Sequence, residues 1–135
     1  DYIKLLKHED SAIRYWGATG LLIHIDNAEP ALPALKAAAD EEAAATAVLI
    51  GESLFHLGEK ELAEKIYLRI LMDEKSTMMD RTWVLNSVEA VDFESPAIEK
   101  WITDFYTNRN EESQGNKMYE NYLLRCVEWA VQNGQ

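Results

Sequence analysis

The chain has 135 residues, 47% hydrophobic and 27% charged, a balance typical of one globular domain that can bury its own core. Its formal net charge of −11 argues against nucleic-acid binding, which needs a concentrated basic face, and equally against binding to an anionic membrane surface. No run approaches the roughly 18 apolar residues of a membrane span. The abrupt opening at Asp1 predicts a piece of a longer protein.

Apolar residues recur with helical spacing along nearly the whole chain, and no convincing alternating strand pattern interrupts them. Breaks divide the chain into helices of about 12 to 18 residues. The breaks lie at 26–27, 39–40, 58–59, 73–76, 93–95 and 108–116. Because the connections are short, consecutive helices are predicted to be antiparallel neighbours.

Local signals mark several helix ends. Asp10 or Ser11 is suited to cap the first full helix. Ser95 precedes Pro96 in the order typical of a helix start. Gly58 follows an apolar run and is suited to a left-handed C-terminal cap. These signals support the division into helices.

Weak internal repeats follow the same division. LLIHID (21–26) matches SLFHLG (53–58) at a shift of 32, and RYW (14–16) matches RTW (81–83) at a shift of 67. They predict three helical hairpins at roughly 10–39, 41–73 and 77–108, with a helix tail at 2–8 and a closing helix at 116–132. The expected fold class is all-α, a short HEAT-like α-α superhelix forming one domain over 1–135. GEKELAEKIYLRIL (58–71) leaves a tetratricopeptide-like subclass open.

The segment DSAIRYWGATGLL (10–22) mixes an arginine, two bulky aromatics and small residues, and we interpret it as a packing device. Ile13, Trp16 and Leu21 are predicted to be buried on one side of its helix. Gly17 and Gly20 each cost about 1 kcal/mol of helix propensity relative to alanine. Close approach of a neighbouring helix is the simplest compensation for that cost.

This segment resembles the first helix of a HEAT repeat. The family pattern D-x-x-V-R-x-x-A-x-x-A-L is matched by Asp10, Ile13, Arg14, Gly17 or Ala18, and Leu21. The resemblance implies that Arg14 is structural, in an aspartate–arginine ladder between adjacent repeats, rather than a contact for a ligand. In the second repeat Glu42 and Thr46 stand at the positions of Asp10 and Arg14, so a continuous ladder is not expected.

A longer run, LLKHEDSAIRYWGATGLL (5–22), is similar to segments that follow the catalytic domain of bacterial sulfatases, of the arylsulfatase and N-sulfoglucosamine sulfohydrolase type. The similarity covers roughly residues 3–70. It implies a non-catalytic C-terminal region that packs on or assists the catalytic domain, and an exported or periplasmic location inherited from the parent enzyme.

Sulfatases take their nucleophile from a Cys/Ser-x-Pro-x-Arg motif beside a calcium ion, and this sequence contains no such motif. We therefore assign no catalytic residue, cofactor or metal to this chain and do not predict it to be an enzyme. The competing interpretation is an autonomous protein–protein interaction scaffold. An accessory region is expected to expose an apolar patch through which it can self-associate, whereas a free-standing scaffold is expected to be a monomer with polar capping helices.

Three further groups of residues have side chains that can carry a function. His24 and His56 occupy equivalent repeat positions near Asp26, but this equivalence explains the pair without a metal ion. Cys126 lies in an apolar run and is predicted to be a buried small residue rather than a reactive thiol. The later aromatic residues are predicted to be core, with a surface that stacks on sugars or docks a partner as the alternative; they are Trp83, Trp101, Phe105, Tyr106, Tyr119, Tyr122 and Trp129.

A polar stretch, NRNEESQGNK (108–117), is predicted to be an exposed loop. It is one candidate for a functional edge of the domain. The concave face of the predicted solenoid is the other candidate.

Overall fold

The computed structural model describes residues 1–108 and, beyond them, Glu128 and Gln132. All regular structure in this described part is helical, which confirms the predicted all-α class. Residues 25–27 and 29–31 form single 3₁₀ turns. The α-helices are α1 (Tyr2–Leu5), α2 (Ser11–Ile23), α3 (Leu32–Ala37), α4 (Ala44–His56), α5 (Lys60–Met72), α6 (Met78–Ala90) and α7 (Pro96–Asn108).

Short polar side chains cap the starts of α2 and α7, as the sequence predicts. The Asp10 carboxylate accepts a hydrogen bond from the Ala12 amide at 2.8 Å, so Asp10 rather than Ser11 caps α2. The Ser95 hydroxyl accepts from the Ile98 amide at 3.1 Å and α7 starts at the following proline. Each cap satisfies an amide that has no partner within its own helix.

A reciprocal capping box, which the sequence analysis missed, begins α6. The Thr77 hydroxyl accepts from the Asp80 amide at 3.1 Å, and the Asp80 carboxylate accepts from the Thr77 amide at 2.8 Å. The local signal is a threonine followed three residues later by an acid. Two otherwise unpaired donors are satisfied together, which fixes the start of α6 at Met78.

Two helices end in a residue of left-handed conformation. Gly58, with φ of +88°, ends α4 as predicted, and the Glu59 amide donates to the Leu54 carbonyl at 2.8 Å. Asp92, with φ of +52°, follows α6, and the Phe93 amide donates to the Val88 carbonyl at 2.9 Å. Helix α6 therefore ends in the same way as α4, but its left-handed residue, Asp92, carries a Cβ.

The residues form two compact units, Asp1–Tyr67 and Leu68 onward. In the first unit α2 packs against both α1 and α4. Two glycines permit close packing: a Cβ on Gly17 would lie 2.7 Å from the Leu5 Cβ, and one on Gly51 would lie 2.7 Å from the Tyr67 ring. The buried hydrophobic side chains of this unit are aliphatic apart from Tyr67 and include Leu21, Leu35, Ile50, Leu54 and Ile66.

Among the described residues of the second unit, α6 and α7 supply most of the buried side chains, including Val84, Leu85, Ile98 and Ile102. The Trp101 and Phe105 rings stack at a centroid distance of 5.0 Å with an interplanar angle of 20°. The predicted closing helix at 116–132 lies outside the described residues except at Glu128 and Gln132, which are helical.

The predicted burial of Trp16 is wrong. Leu21 is buried and Ile13 is half-buried, but 64% of Trp16 is exposed. Residues five apart in an α-helix are separated by about 140° around its axis, so Trp16 and Leu21 lie on nearly opposite faces of α2. The inward face is formed by Gly17, Ala18 and Leu21, and this leaves Trp16 pointing outward.

Candidate functional site

The Arg14 guanidinium links three segments of the first unit. Nε and Nη2 donate to the two oxygens of Glu41 at 2.6 and 3.0 Å, a bidentate pairing. Nη1 donates to the carbonyls of His8 and Glu9 at 2.9 and 2.8 Å. The arginine thereby holds the loop before α2 and the segment before α4 against its own helix.

The partner of Arg14 is a carboxylate whose side chain is buried and makes several hydrogen bonds. Glu41 has a side chain only 6% exposed, and its carboxylate also accepts from the Ala43 amide at 2.9 Å. The hydrogen bond from Arg14 is the main reason that the pKa of Glu41 lies below its usual range. A general acid needs a raised pKa, so the lowered pKa of Glu41 fits an ion-pair partner rather than a general acid.

The observed contacts agree with a structural role for Arg14 but not with the expected acidic partner. Glu42, at the repeat position of Asp10, is exposed, whereas the preceding Glu41 makes the pair. Asp10 itself caps α2. Thr46, at the repeat position of Arg14, is buried and carries no charge. Four guanidinium hydrogen bonds leave Arg14 little capacity for a ligand.

A second arginine, Arg81, makes a similar backbone contact in the second unit. Arg81 Nε donates to the Leu71 carbonyl at 3.2 Å, and Nη2 donates to the Asp73 carbonyl at 2.9 Å. Arg14 and Arg81, which match at a shift of 67 residues, both bind carbonyls of the segment that precedes their helix. The repeat seen in the sequence thus corresponds to a shared backbone contact.

An exposed stripe runs along α2 opposite its glycines. We define the outer face of α2 as Ala12, Trp16, Thr19 and Ile23, which recur at helical spacing. Trp16 is 64% and Ile23 72% exposed. The Tyr15 ring meets the Trp16 ring edge-on at a centroid distance of 5.6 Å. Large apolar side chains aligned on one exposed face are typical of interaction surfaces.

The inner side of α2 fixes the orientation of that face. A Cβ on Gly20 would overlap the Tyr2 ring, and one on Gly17 would approach the Tyr2 carbonyl oxygen to 3.1 Å. The Tyr2 ring also stacks on the His24 imidazole at 5.9 Å with an interplanar angle of 21°. Rotation of α2 to bury Trp16 would therefore break the contact with α1.

A groove of about 370 Å³ lies where the connection from α2 to α3 passes the end of α4. It is lined by Ile25, Asp26, Glu29, Leu32, His56 and Leu57. His56 and Asp26 thus come together as the sequence analysis considered, but His24 is not among the lining residues and stacks on Tyr2 instead. Within the described residues no group of three histidine, cysteine or acidic side chains could hold a metal ion.

The other candidate residues include some that the structure describes and some that lie outside the described part of the chain. Trp83, Trp101, Phe105 and Tyr106 are half-buried, so they contribute to the second unit without being fully enclosed. Cys126, Tyr119, Tyr122, Trp129 and the predicted loop from 109 onward lie outside the described residues. His8 is a local element, because its Nδ1 accepts from the Asp10 amide at 3.0 Å.

Over the residues that the structure describes, no helix is long and apolar enough to cross a bilayer. No family model, curated protein or solved structure matches this chain.

Proposed function

We propose that this chain is a non-catalytic helical region of a larger bacterial sulfatase, and that it docks on the catalytic domain of that enzyme. The outer face of α2 is the observation that carries the proposal. The same segment that resembles the sulfatase C-terminal region, LLKHEDSAIRYWGATGLL (5–22), places Trp16 and Ile23 in solvent. The HEAT-like subclass of the repeats and an exported location belong to the same proposal.

The energetics of the outer face support a docking role. Full burial of a large apolar side chain contributes about 1.5 to 3 kcal/mol, so exposing Trp16 and Ile23 forgoes a substantial stabilisation. Tryptophan is also enriched among the residues that dominate binding energy at protein interfaces. The Arg14–Glu41 pair and the α1–α2 contact hold the helix, so the face is presented on a rigid support.

The first test is the sequence of the coding DNA upstream of Asp1. A reading frame that contains a Cys/Ser-x-Pro-x-Arg motif is the expected result. A frame without that motif would overturn the sulfatase parent and favour the alternative, an autonomous helical-repeat scaffold that binds another protein.

The second test uses the full parent enzyme and two matched double variants. Trp16→Ser/Ile23→Ser removes the apolar side chains of the outer face, and Met72→Ser/Met79→Ser removes two exposed apolar side chains elsewhere. We expect the first pair to lower the thermal midpoint of the catalytic domain and its hydrolysis of an aryl sulfate, and the second pair to leave both unchanged. Equal effects of the two pairs would contradict docking through α2.

A further inference from the structure

Helix α2 differs in charge from the other long helices of the described residues. The four other helices of 13 residues, α4 to α7, each contain at least one aspartate or glutamate, whereas α2 contains none. The one charged residue of α2, Arg14, is already paired with Glu41. Two copies of a chain with a net charge of −11 repel each other where their acids meet, so α2 is the long helix along which two copies can approach without opposed acids of their own.

The outer face of α2 can be covered without leaving a helix hydroxyl unpaired. The Thr19 hydroxyl donates to the Tyr15 carbonyl at 2.9 Å, so its donor stays satisfied when water is excluded. The edge contact with the Tyr15 ring supports the exposed Trp16 ring. Absence of charge together with an exposed tryptophan is the composition of the core of a protein interface.

The outer face is also complementary to itself. Small and large side chains alternate along it in the order Ala12, Trp16, Thr19, Ile23. A two-fold axis between positions 19 and 20 places Trp16 of one copy opposite Ile23 of a second, antiparallel copy, and the reverse. Thr19 of each copy then lies beside the axis, and the small residues on either side of Trp16 leave room for the large side chains of the second copy. A two-fold contact requires this kind of self-complementary patch.

The size of the face sets the strength of such a contact. A helix of 13 residues is about 20 Å long and about 10 Å wide with its side chains, so α2 offers about 200 Å² to a second copy. Stable interfaces bury about 800 Å² on each partner. The contact is therefore expected to be weak and to depend on protein concentration, with a dissociation constant on the order of 0.1 to 1 mM.

We propose that the outer face of α2 is a two-fold contact between two copies of this chain, with the two α2 helices antiparallel. The contact uses the surface that the proposed function assigns to the catalytic domain, so it forms when no catalytic domain covers α2. It does not require a sulfatase parent. Sedimentation of this chain and the thermal midpoint of the parent enzyme are separate measurements, so failure of one proposal is distinguishable from failure of the other.

The first test is sedimentation velocity of the 135-residue chain at protein concentrations from about 10 µM to about 1 mM. We expect a monomer–dimer equilibrium. Raising the salt concentration from about 0.1 M to about 1 M shortens the Debye length from about 10 Å to about 3 Å. Because this screens the repulsion between two acidic copies, the dimer should become severalfold tighter, whereas a contact made of ion pairs would weaken.

A charge exchange at Thr19 tests the two-fold arrangement. Thr19→Glu places two carboxylates beside the axis, and Thr19→Lys places two ammonium groups there, so each variant alone should dimerise at least about tenfold more weakly. An equimolar mixture of the two variants should regain the dimer, because opposite charges then face each other across the axis. No contact with an unrelated surface predicts this recovery.

Two matched variants serve as controls, and far-UV circular dichroism checks that each variant is folded. Thr19→Gln has a side chain of similar length to Thr19→Glu without its charge and should weaken the dimer far less. Thr103→Glu adds the same charge at an exposed position of α7 and should change the dissociation constant less than about twofold. Trp16→Ser/Ile23→Ser should abolish the dimer. A monomer at about 1 mM protein in about 1 M salt, a dimer that survives Thr19→Glu, or a mixture that stays monomeric would each overturn the proposal.

Discussion

Replacing Gly17 by alanine tests whether the close contact of α1 with α2 determines which face of α2 points outward. The added Cβ would lie 2.7 Å from the Leu5 Cβ and 3.1 Å from the Tyr2 carbonyl oxygen. Since the second contact is with the backbone, rotation of a side chain is insufficient to relieve it. We expect α1 to move away from α2.

The size of the effect follows from the contacts that α1 makes. Displacement of α1 uncovers Leu6, which is buried, at a cost of about 1.5 to 3 kcal/mol. It also separates the stacked Tyr2 and His24 rings, at a cost of about 0.5 to 1.5 kcal/mol. The higher helix propensity of alanine stabilises α2 by about 1 kcal/mol relative to glycine and offsets part of this cost. The free energy of unfolding should therefore fall by about 1 to 3.5 kcal/mol.

Urea unfolding followed by far-UV circular dichroism measures this change, and two controls isolate its cause. Ala12→Gly, on the exposed side of α2, should lower the free energy of unfolding by about 1 kcal/mol through propensity alone. In a shortened chain that begins at Lys7 and lacks α1, Gly17→Ala should become stabilising by about 1 kcal/mol. The same sign in the full and the shortened chain would refute the reasoning.

Two further predictions concern the ion pair and the helix ends. Arg14 lowers the pKa of Glu41 in the folded protein. The pair therefore stabilises the fold fully above the ordinary glutamate pKa of about 4.3. This stabilisation is lost as the pH falls through the lowered pKa. The free energy of unfolding of the wild type should fall more steeply from about pH 5 to about pH 3 than that of Glu41→Gln, and parallel urea titrations with equal slopes would contradict this. Asp92→Gly should raise the free energy of unfolding by about 0.5 to 1 kcal/mol by relieving a left-handed residue, whereas Gly58→Ala should lower it by about 1 to 2 kcal/mol. Thermal denaturation of the two variants measures these changes. Shifts of the thermal midpoint in the same direction for both variants would contradict a left-handed C-terminal residue at both positions.

The outer face of α2 shows where sequence reasoning failed although a signal was available. Apolar character alone assigned Trp16 and Leu21 to one buried side, but their spacing of five residues separates them around the helix. Spacing of seven between Trp16 and Ile23 does place that pair on one face. The sequence could therefore have predicted the stripe, but whether the stripe or the glycine face turns inward depends on the position of α1.

The ion pair and the groove lay beyond any local pattern. Arg14 and Glu41 are separated by 27 positions, and neighbouring Glu42 offered the same chemistry. Only the path of the chain between α3 and α4 selects one acid over the other. His56 and Asp26 likewise meet because α4 ends beside the turns at 25–31, whereas the equivalent His24 is held by Tyr2.

The sequence by itself determined the all-helical class, the start of α2 at Asp10 or Ser11, the start of α7 after Ser95 and the left-handed end of α4 at Gly58. These features depend on backbone groups and side chains within about four residues of each other, and such interactions are encoded locally. The tertiary structure decided the exposure of Trp16, the choice of Glu41 and the walls of the groove. Those outcomes depend on which distant segments pack together, because burial is a property of the neighbours that a residue meets and not of the residue alone.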